Sequence, residues 1–246
     1  MPTPDQTSVS RQPDSARAPS RGTAALIEAR GVVRHPRIAE RVLLSDIDFV
    51  LPPGVRAGLV GPSGAGKTQL LRALALLDPL DAGQVLFEGR AVAQHAVPAY
   101  RSQVIYVHQR PALWDTTVEA NLRQPFELEA QRGRTFSLEW TVDQLARLGR
   151  LASFLAQPAR ELSGGEAQIV AVLRAIQLGP RVLLLDEPTA SLDSTAAAAI
   201  EQLVLTWFEE AAKERALVWV SHNLAQVERL TDEQTLIEAG KIVRPA

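Results

Sequence analysis

The octapeptide Gly61-Pro62-Ser63-Gly64-Ala65-Gly66-Lys67-Thr68 constrains this chain more than any other feature. It matches the pattern G-x-x-x-x-G-K-[ST], whose glycines let successive backbone N–H groups converge on phosphate oxygens. The helix that follows such a loop turns its positive end toward the same oxygens. The pattern needs a strand before it and a helix after it, and both are legible. Arg56 to Val60 reads as a short buried strand, and Gln69 to Leu77, rich in Leu and Ala, reads as a buried helix ending before Pro79. Strand, glycine loop and helix together ask for an anion. As that motif requires, Lys67 reaches the β- and γ-phosphates of a nucleotide and the Thr68 hydroxyl ligates Mg²⁺. A plain glycine turn before a helix is the alternative reading, and the flanking elements weigh against it.

Further segments carry compatible chemistry. Val182-Leu183-Leu184-Leu185-Asp186-Glu187 is an apolar run with the length of a central strand, and its two acids fall where open α/β sheets place their ligands. Asp186 is positioned to hold Mg²⁺ directly or through water, and Glu187, facing the other way, to polarise an attacking water. An acidic first turn of the next helix would use the same residues. Leu162-Ser163-Gly164-Gly165-Glu166 opens another helix with a hydroxyl and two glycines, a second anion cradle. One nucleotide does not need two cradles, so Ser163, Gly164 and Gly165 point to the nucleotide of a second copy in a head-to-tail dimer. An ordinary helix cap by Ser163 is the alternative. His222 follows the strand Leu217 to Val220, and Gln109 follows the strand Val104 to Val107. Each alone is a surface polar residue, and their shared placement just beyond apolar strands raises both as phosphate-side groups.

Composition bounds the rest. The chain has 246 residues, enough for one sizeable core or one domain with an inserted subdomain. A formal charge of -2 gives no electrostatic reason to expect nucleic acid. There are no cysteines, which excludes disulfides and thiolate metal sites and suits a reducing compartment. The most apolar windows, Leu70 to Phe87 and Ile169 to Leu185, are interrupted by charges and Pro, short of the ~20 apolar residues of a membrane span. Residues 1–23, rich in Pro, Ser, Thr, Gln and Arg, read as a disordered tail ahead of one domain over 24–246. Arg41 to Leu44, Ile47 to Leu51, Gln84 to Phe87 and Val104 to Val107 read as strands, and Thr116 to Leu155 as a mostly helical insertion. Helices over Gly165 to Leu178 and Thr195 to Ala212 alternate with the remaining strands, implying a mainly parallel sheet covered by helices.

With these residues assembled, the chain from about residue 25 to its end resembles the ABC-type ATPases. The glycine loop Gly61 to Thr68, Gln109, Leu162 to Glu166, Val182 to Glu187, Ser191-Leu192-Asp193 and Ser221-His222 occur in that family's order and at its spacings. The resemblance implies an α/β fold: a P-loop NTPase (RecA-like) core with an antiparallel β-subdomain and an inserted α-helical subdomain over about 112–160. It implies that Gln109 is a hinge that senses Mg²⁺ and contacts a membrane partner, that Asp193 bridges two subunits, and that ATP and Mg²⁺ are the ligands. It further implies a polytopic membrane permease as partner, a second copy of the ATPase, and a peripheral place on the cytoplasmic face of the cell membrane. Where the family stacks adenine on an aromatic, Val32 to Pro36 offers only His35. Gln168-Ile169 replaces the common Gln-Arg pair, and Gln69 stands where Thr or Ser often follows the glycine loop. Tyr100 to Phe126 and Leu217 to His222 are similar to the ATPase subunit of Fet-type iron exporters. An importer subunit and a soluble assembly ATPase are the alternatives.

Overall fold

A strand with one wet face alternates, and β2 (Leu44–Leu51) does so: Ile47, Phe49 and Leu51 are buried while Asp46, Asp48 and Val50 are exposed. It pairs antiparallel with β1 (Ile27–Arg34), and β4 (Ala82–Phe87) and the two-residue β5 (Arg90–Ala91) complete a four-stranded antiparallel sheet in the order β2-β1-β4-β5. The computed structural model describes residues 24–36, 43–190 and 192–243. The tail expected over 1–23 lies outside the described residues, as do Arg41 and Val42 of the first expected strand and Ser191.

The second sheet has six strands in the order β10-β9-β3-β8-β7-β6. These are β3 (Arg56–Val60), β6 (Val104–Val107), β7 (Val182–Asp186), β8 (Ala216–Val220), β9 (Glu233–Glu238) and β10 (Lys241–Val243). All neighbours are parallel except β9 and β10. The register sets Val107 beside Leu185, Asp186 beside Val220, and Val220 beside Leu59. The carboxyl ends of four strands therefore share one edge, and the residues that follow them emerge side by side.

Every residue of β7 and β8 is buried, because both faces of the sheet are covered. Val182, Leu184, Val218 and Val220 face one core with α1 (Lys67–Leu74) and the antiparallel sheet. Leu183, Leu185, Leu217 and Trp219 face a second core with α5 (Gly164–Ile176) and α6 (Ser194–Glu209). Between β6 and α5 lies the insertion. Only α3 (Val118–Arg123) and α4 (Leu138–Arg147) in it are regular α-helices; the rest is short 3₁₀ turns, broken at Pro125, Gly133, Gly149 and Pro158. It closes on itself where Val118 N–H donates to Gln157 and Ala159 N–H to Thr116, and Leu122, Leu145 and Phe154 anchor it in the second core.

Several boundaries depart from the sequence reading. The first helix begins at Lys67, inside the glycine loop, and ends at Leu74 rather than Leu77. It stops because Leu76 takes a left-handed φ of 52°, with Leu77 N–H returning to Arg72 O and Leu76 N–H to Ala73 O. That closure normally uses glycine, so Leu76 gave no warning. α2 (Val97–Gln103) and α7 (Leu224–Leu230) were not expected, nor were β9 and β10, which extend the sheet beyond β3. Arg41 to Leu44 and Ile47 to Leu51 were read as separate strands, and the described part, Leu44 onward, is one strand. Among the described residues no helix is long and apolar enough to cross a membrane.

Candidate active site

The loop from β3 to α1 wraps a cleft of about 440 Å³ at the shared edge of the parallel sheet. Gly61 has φ 147°, and a Cβ there would lie 2.1 Å from the carbonyl oxygen of Ile237 on β9, so no other residue fits. Gly66 is the N-cap of α1 with φ 113°. No side chain caps this helix, and its first turn holds no acid, so its leading N–H groups face the cleft without a carboxylate of their own. Ser63, Gly64 and Thr68 line the cleft, Pro62 is exposed at the loop's outer side, and Ala65 is buried beneath it.

Lys67 is buried, and its ammonium donates to the carbonyls of Gly61 at 2.7 Å and Pro62 at 3.0 Å. It carries three donors, so one remains for an anion. Burial pulls its pKa below the usual lysine value, an effect that the charges of Glu187 and Asp186 oppose.

The two acids at the end of β7, Asp186 within it and Glu187 just beyond, occupy different settings. Asp186 is 3% exposed, and its Oδ2 accepts from the Tyr106 hydroxyl at 2.8 Å. Burial and the adjacent Asp186 charge push the Tyr106 pKa up, which keeps the phenol a donor. Glu187 takes a left-handed φ of 50°, uncommon for a residue with a side chain, and thereby turns its carboxylate into the cleft. Its Oε1 lies 2.6 Å from His222 Nε2, and its Oε2 accepts from Gln109 Nε2 at 3.0 Å. Three residues from three strand ends, Gln109, Glu187 and His222, thus meet at the mouth of one cleft. The sequence placed each just beyond an apolar strand, and the register brings them together.

For a divalent cation, the Thr68 hydroxyl, an Asp186 carboxylate oxygen and the Gln109 amide oxygen offer hard oxygen donors. Gln109 Oε1 is available because the amide contacts Glu187 through nitrogen. Among the described residues no group of three acidic, His or Cys side chains makes a metal cage. The donor set fits Mg²⁺ in the way that ion prefers, a carboxylate with few other protein oxygens, together with phosphate oxygens and water.

Ser163 is the N-cap of α5 and forms a full capping box: its Oγ accepts from Glu166 N–H at 3.3 Å, and Glu166 Oε2 accepts from Ser163 N–H at 2.9 Å and from Ser163 Oγ at 2.8 Å. Arg150 holds the other Glu166 oxygen at 2.8 Å. The capping reading of Ser163 is therefore realised within the chain. Ser163 and Gly165 line no part of the glycine-loop cleft, while Gly164 borders a recess of about 190 Å³ that shares Gln109 and Glu187 with it. Asp193 caps α6, accepting from Thr195 and Ala196 N–H at 2.9 Å, and is exposed.

His35 does not line this cleft. It is exposed, its N–H donates to Asp81 at 2.7 Å and its Nδ1 lies 3.5 Å from the same carboxylate. Among the described residues the cleft is walled instead by Leu43, Ala239 and Gly240. Sequence reasoning missed Ala239 and Gly240 because the turn after β9 was not foreseen, and Leu43 because it was read only as part of a strand. It also missed Tyr106, whose signal was a hydroxyl on an inward position of an otherwise aliphatic strand.

The family profile described as ABC transporter matches residues 44–190. The chain is 37% identical over 220 residues to Protein STAR1 of Oryza sativa subsp. japonica, covering 88% of this chain and 61% of that protein. It is 35% identical to the probable sulfate/thiosulfate import ATP-binding protein CysA of Chlorella vulgaris, covering 82% of this chain and 83% of CysA. It is also 35% identical to the probable iron export ATP-binding protein FetA of Escherichia coli K12, covering 75% of this chain and 80% of FetA. Among solved structures, dimeric MJ0796, a bacterial ABC transporter cassette, superposes with a TM-score of 0.78 at 25% identity, covering 89% of this chain and 97% of that one.

Proposed function

The chain belongs to the ABC transporter ATPase family, and on that premise we propose that it is the ATP-hydrolysing subunit of a transporter. Two copies close over two molecules of ATP and drive a separate polytopic permease from the cytoplasmic face of the membrane. The observation that carries this reading is the Glu187 carboxylate, held between Gln109 and His222 beside the uncapped N-terminus of α1.

In this mechanism the loop N–H groups and Lys67 bind the β- and γ-phosphates. Glu187 accepts a proton from water as it adds to the γ-phosphorus, the bond to the bridging oxygen of ADP breaks, and phosphate leaves. Lys67 and His222 stabilise charge on the transferring group. Mg²⁺, when bound through Thr68, Asp186 and Gln109, neutralises phosphate charge. The Ser163–Gly165 cradle serves the neighbour's γ-phosphate, and Asp193 faces the partner subunit. The position of Ser163 outside its own chain's cleft supports that assignment.

The relatives are named for both directions of transport, sulfate/thiosulfate import and iron export. Metal export is the finer reading, supported by the resemblance of Gln109 to Trp114 and Thr117 to Leu122 to the Fet-type ATPase. The test begins with a tagged Glu187→Gln chain recovered from native membranes with ATP and Mg²⁺. A stoichiometric multi-span protein in its mass spectrum is the expected result, and soluble companions alone would reassign it to assembly. With that permease in vesicles and the ATPase outside, ATP-driven iron accumulation supports export, and release from preloaded vesicles supports import.

A further inference from the structure

We infer that Tyr106 is a positioning residue for the metal site, fixing the Asp186 carboxylate so that one oxygen stays aimed at a nucleotide-bound divalent cation. The inference rests on the ATPase reading above and adds to it a residue outside the motif set.

The geometry begins with the sheet. β6 and β7 run parallel with Tyr106 beside Leu184. Val104, Tyr106, Val182 and Leu184 all face the core that contains α1, and by the alternation of a strand Asp186 faces it too. Asp186 stands two residues further along than the neighbour of Tyr106, a step of about 6.6 Å at the usual strand rise. A tyrosine leaning along its strand covers that distance and ends in a hydroxyl, which donates to Asp186 Oδ2 at 2.8 Å. A leucine or valine here would fill the core and leave the carboxylate without this donor.

Asp186 needs one. It is 3% exposed, and a buried carboxylate without a hydrogen bond is costly. Among the described residues, the Tyr106 hydroxyl is the only side-chain donor within hydrogen-bond distance of it. With Oδ2 engaged, rotation of the carboxylate is restricted and Oδ1 is left for a ligand. The same strand leads on to Gln109, whose amide holds Glu187. β6 and the residues just after it therefore supply a donor to each of the two acids at the end of β7, the phenol to the buried acid and the amide to the acid in the cleft. The Tyr106 ring also packs in a T-shaped arrangement with that of His108, with centroids 5.7 Å apart, a contact that phenylalanine preserves.

Tyr106→Phe therefore removes the hydroxyl and keeps the packing. Outer-shell partners of metal ligands are commonly worth 10- to 100-fold in metal affinity, so Mn²⁺ binding to the ADP-loaded protein, followed by electron paramagnetic resonance, is expected to weaken roughly tenfold or more. Binding of a fluorescent ATP analogue in EDTA should stay within about twofold of wild type, since the loop and Lys67 are untouched. In an Asp186→Asn background the same tyrosine change should have no further effect on Mn²⁺. Unchanged Mn²⁺ affinity in Tyr106→Phe overturns the inference, and so does equal weakening of Mn²⁺ and metal-free nucleotide binding, which would mark general damage. Wild-type protein that binds neither nucleotide nor Mn²⁺ overturns the ATPase reading itself, and the inference with it.

Discussion

Two helices in this chain begin with glycine and a phosphate-binding appearance, yet their N-termini are left in different states. α1 starts from Gly66 with no side-chain cap and no acid in its first turn. α5 starts from Ser163 with a complete capping box, in which Glu166 closes back on Ser163 and is itself held by Arg150. The macrodipole of both helices favours negative charge. At α5 the chain supplies that charge from Glu166. At α1 it supplies none, and two distant acids, Asp186 and Glu187, stand beyond the loop instead. A helix end whose N–H groups are to bind an anion has to be left uncapped. In the proposed reading the α5 cradle serves a neighbour's phosphate, and the capping box keeps that helix end stable alone while leaving Gly164 exposed.

Three experiments strain this contrast. The largest effect is expected from Glu187→Gln, which removes the acid facing the α1 cleft. Positioned general-base catalysis is worth about 10² to 10⁴ in rate, so steady-state turnover should fall at least ~100-fold while ATP-held dimers persist on a sizing column. Near-normal turnover would deprive that cleft of its catalytic role.

Ser163→Ala addresses the second helix end. Losing a hydrogen bond to a charged group costs about 1.5–3 kcal/mol, so ATP-driven dimer formation and turnover should drop roughly tenfold or more. Nucleotide affinity of the isolated subunit should not change, because Ser163 lies outside its own cleft. An equal loss of monomer affinity would mean that both cradles serve one chain. The smallest effect belongs to Arg150→Ala, which takes support from Glu166 without touching the cap itself. Urea unfolding should show a loss below about 1 kcal/mol, as for partly exposed ion pairs, with nucleotide binding intact. A larger loss would make the self-capped end of α5 a structural keystone.

Much of the site was legible because its motifs are local. Gly61 to Thr68 needs only glycine's freedom and a following helix, and Val182 to Asp186 needs only an apolar run of strand length; both elements formed where expected, with the helix displaced by two to three residues at its ends. His35 was singled out by its aromatic ring and proved to be tied to Asp81, a partner 46 residues away that its neighbourhood does not announce. The C-terminal hairpin of β9 and β10 was missed because its burial comes from pairing with β3, while its own residues are mostly exposed.

The sequence by itself determined where the glycine loop and the candidate residues at the strand ends lie, since glycine conformational freedom, strand alternation and the charge of two consecutive acids act over a few residues. Tertiary structure alone decided how they are wired. Tyr106 meets Asp186 across 80 residues and Gln109 meets Glu187 across 78, through the in-register pairing of β6 with β7. Short-range preferences fix the elements, but the register between strands comes from burying both faces of the sheet at once. That requirement involves the whole core, and no local stretch of the chain contains it.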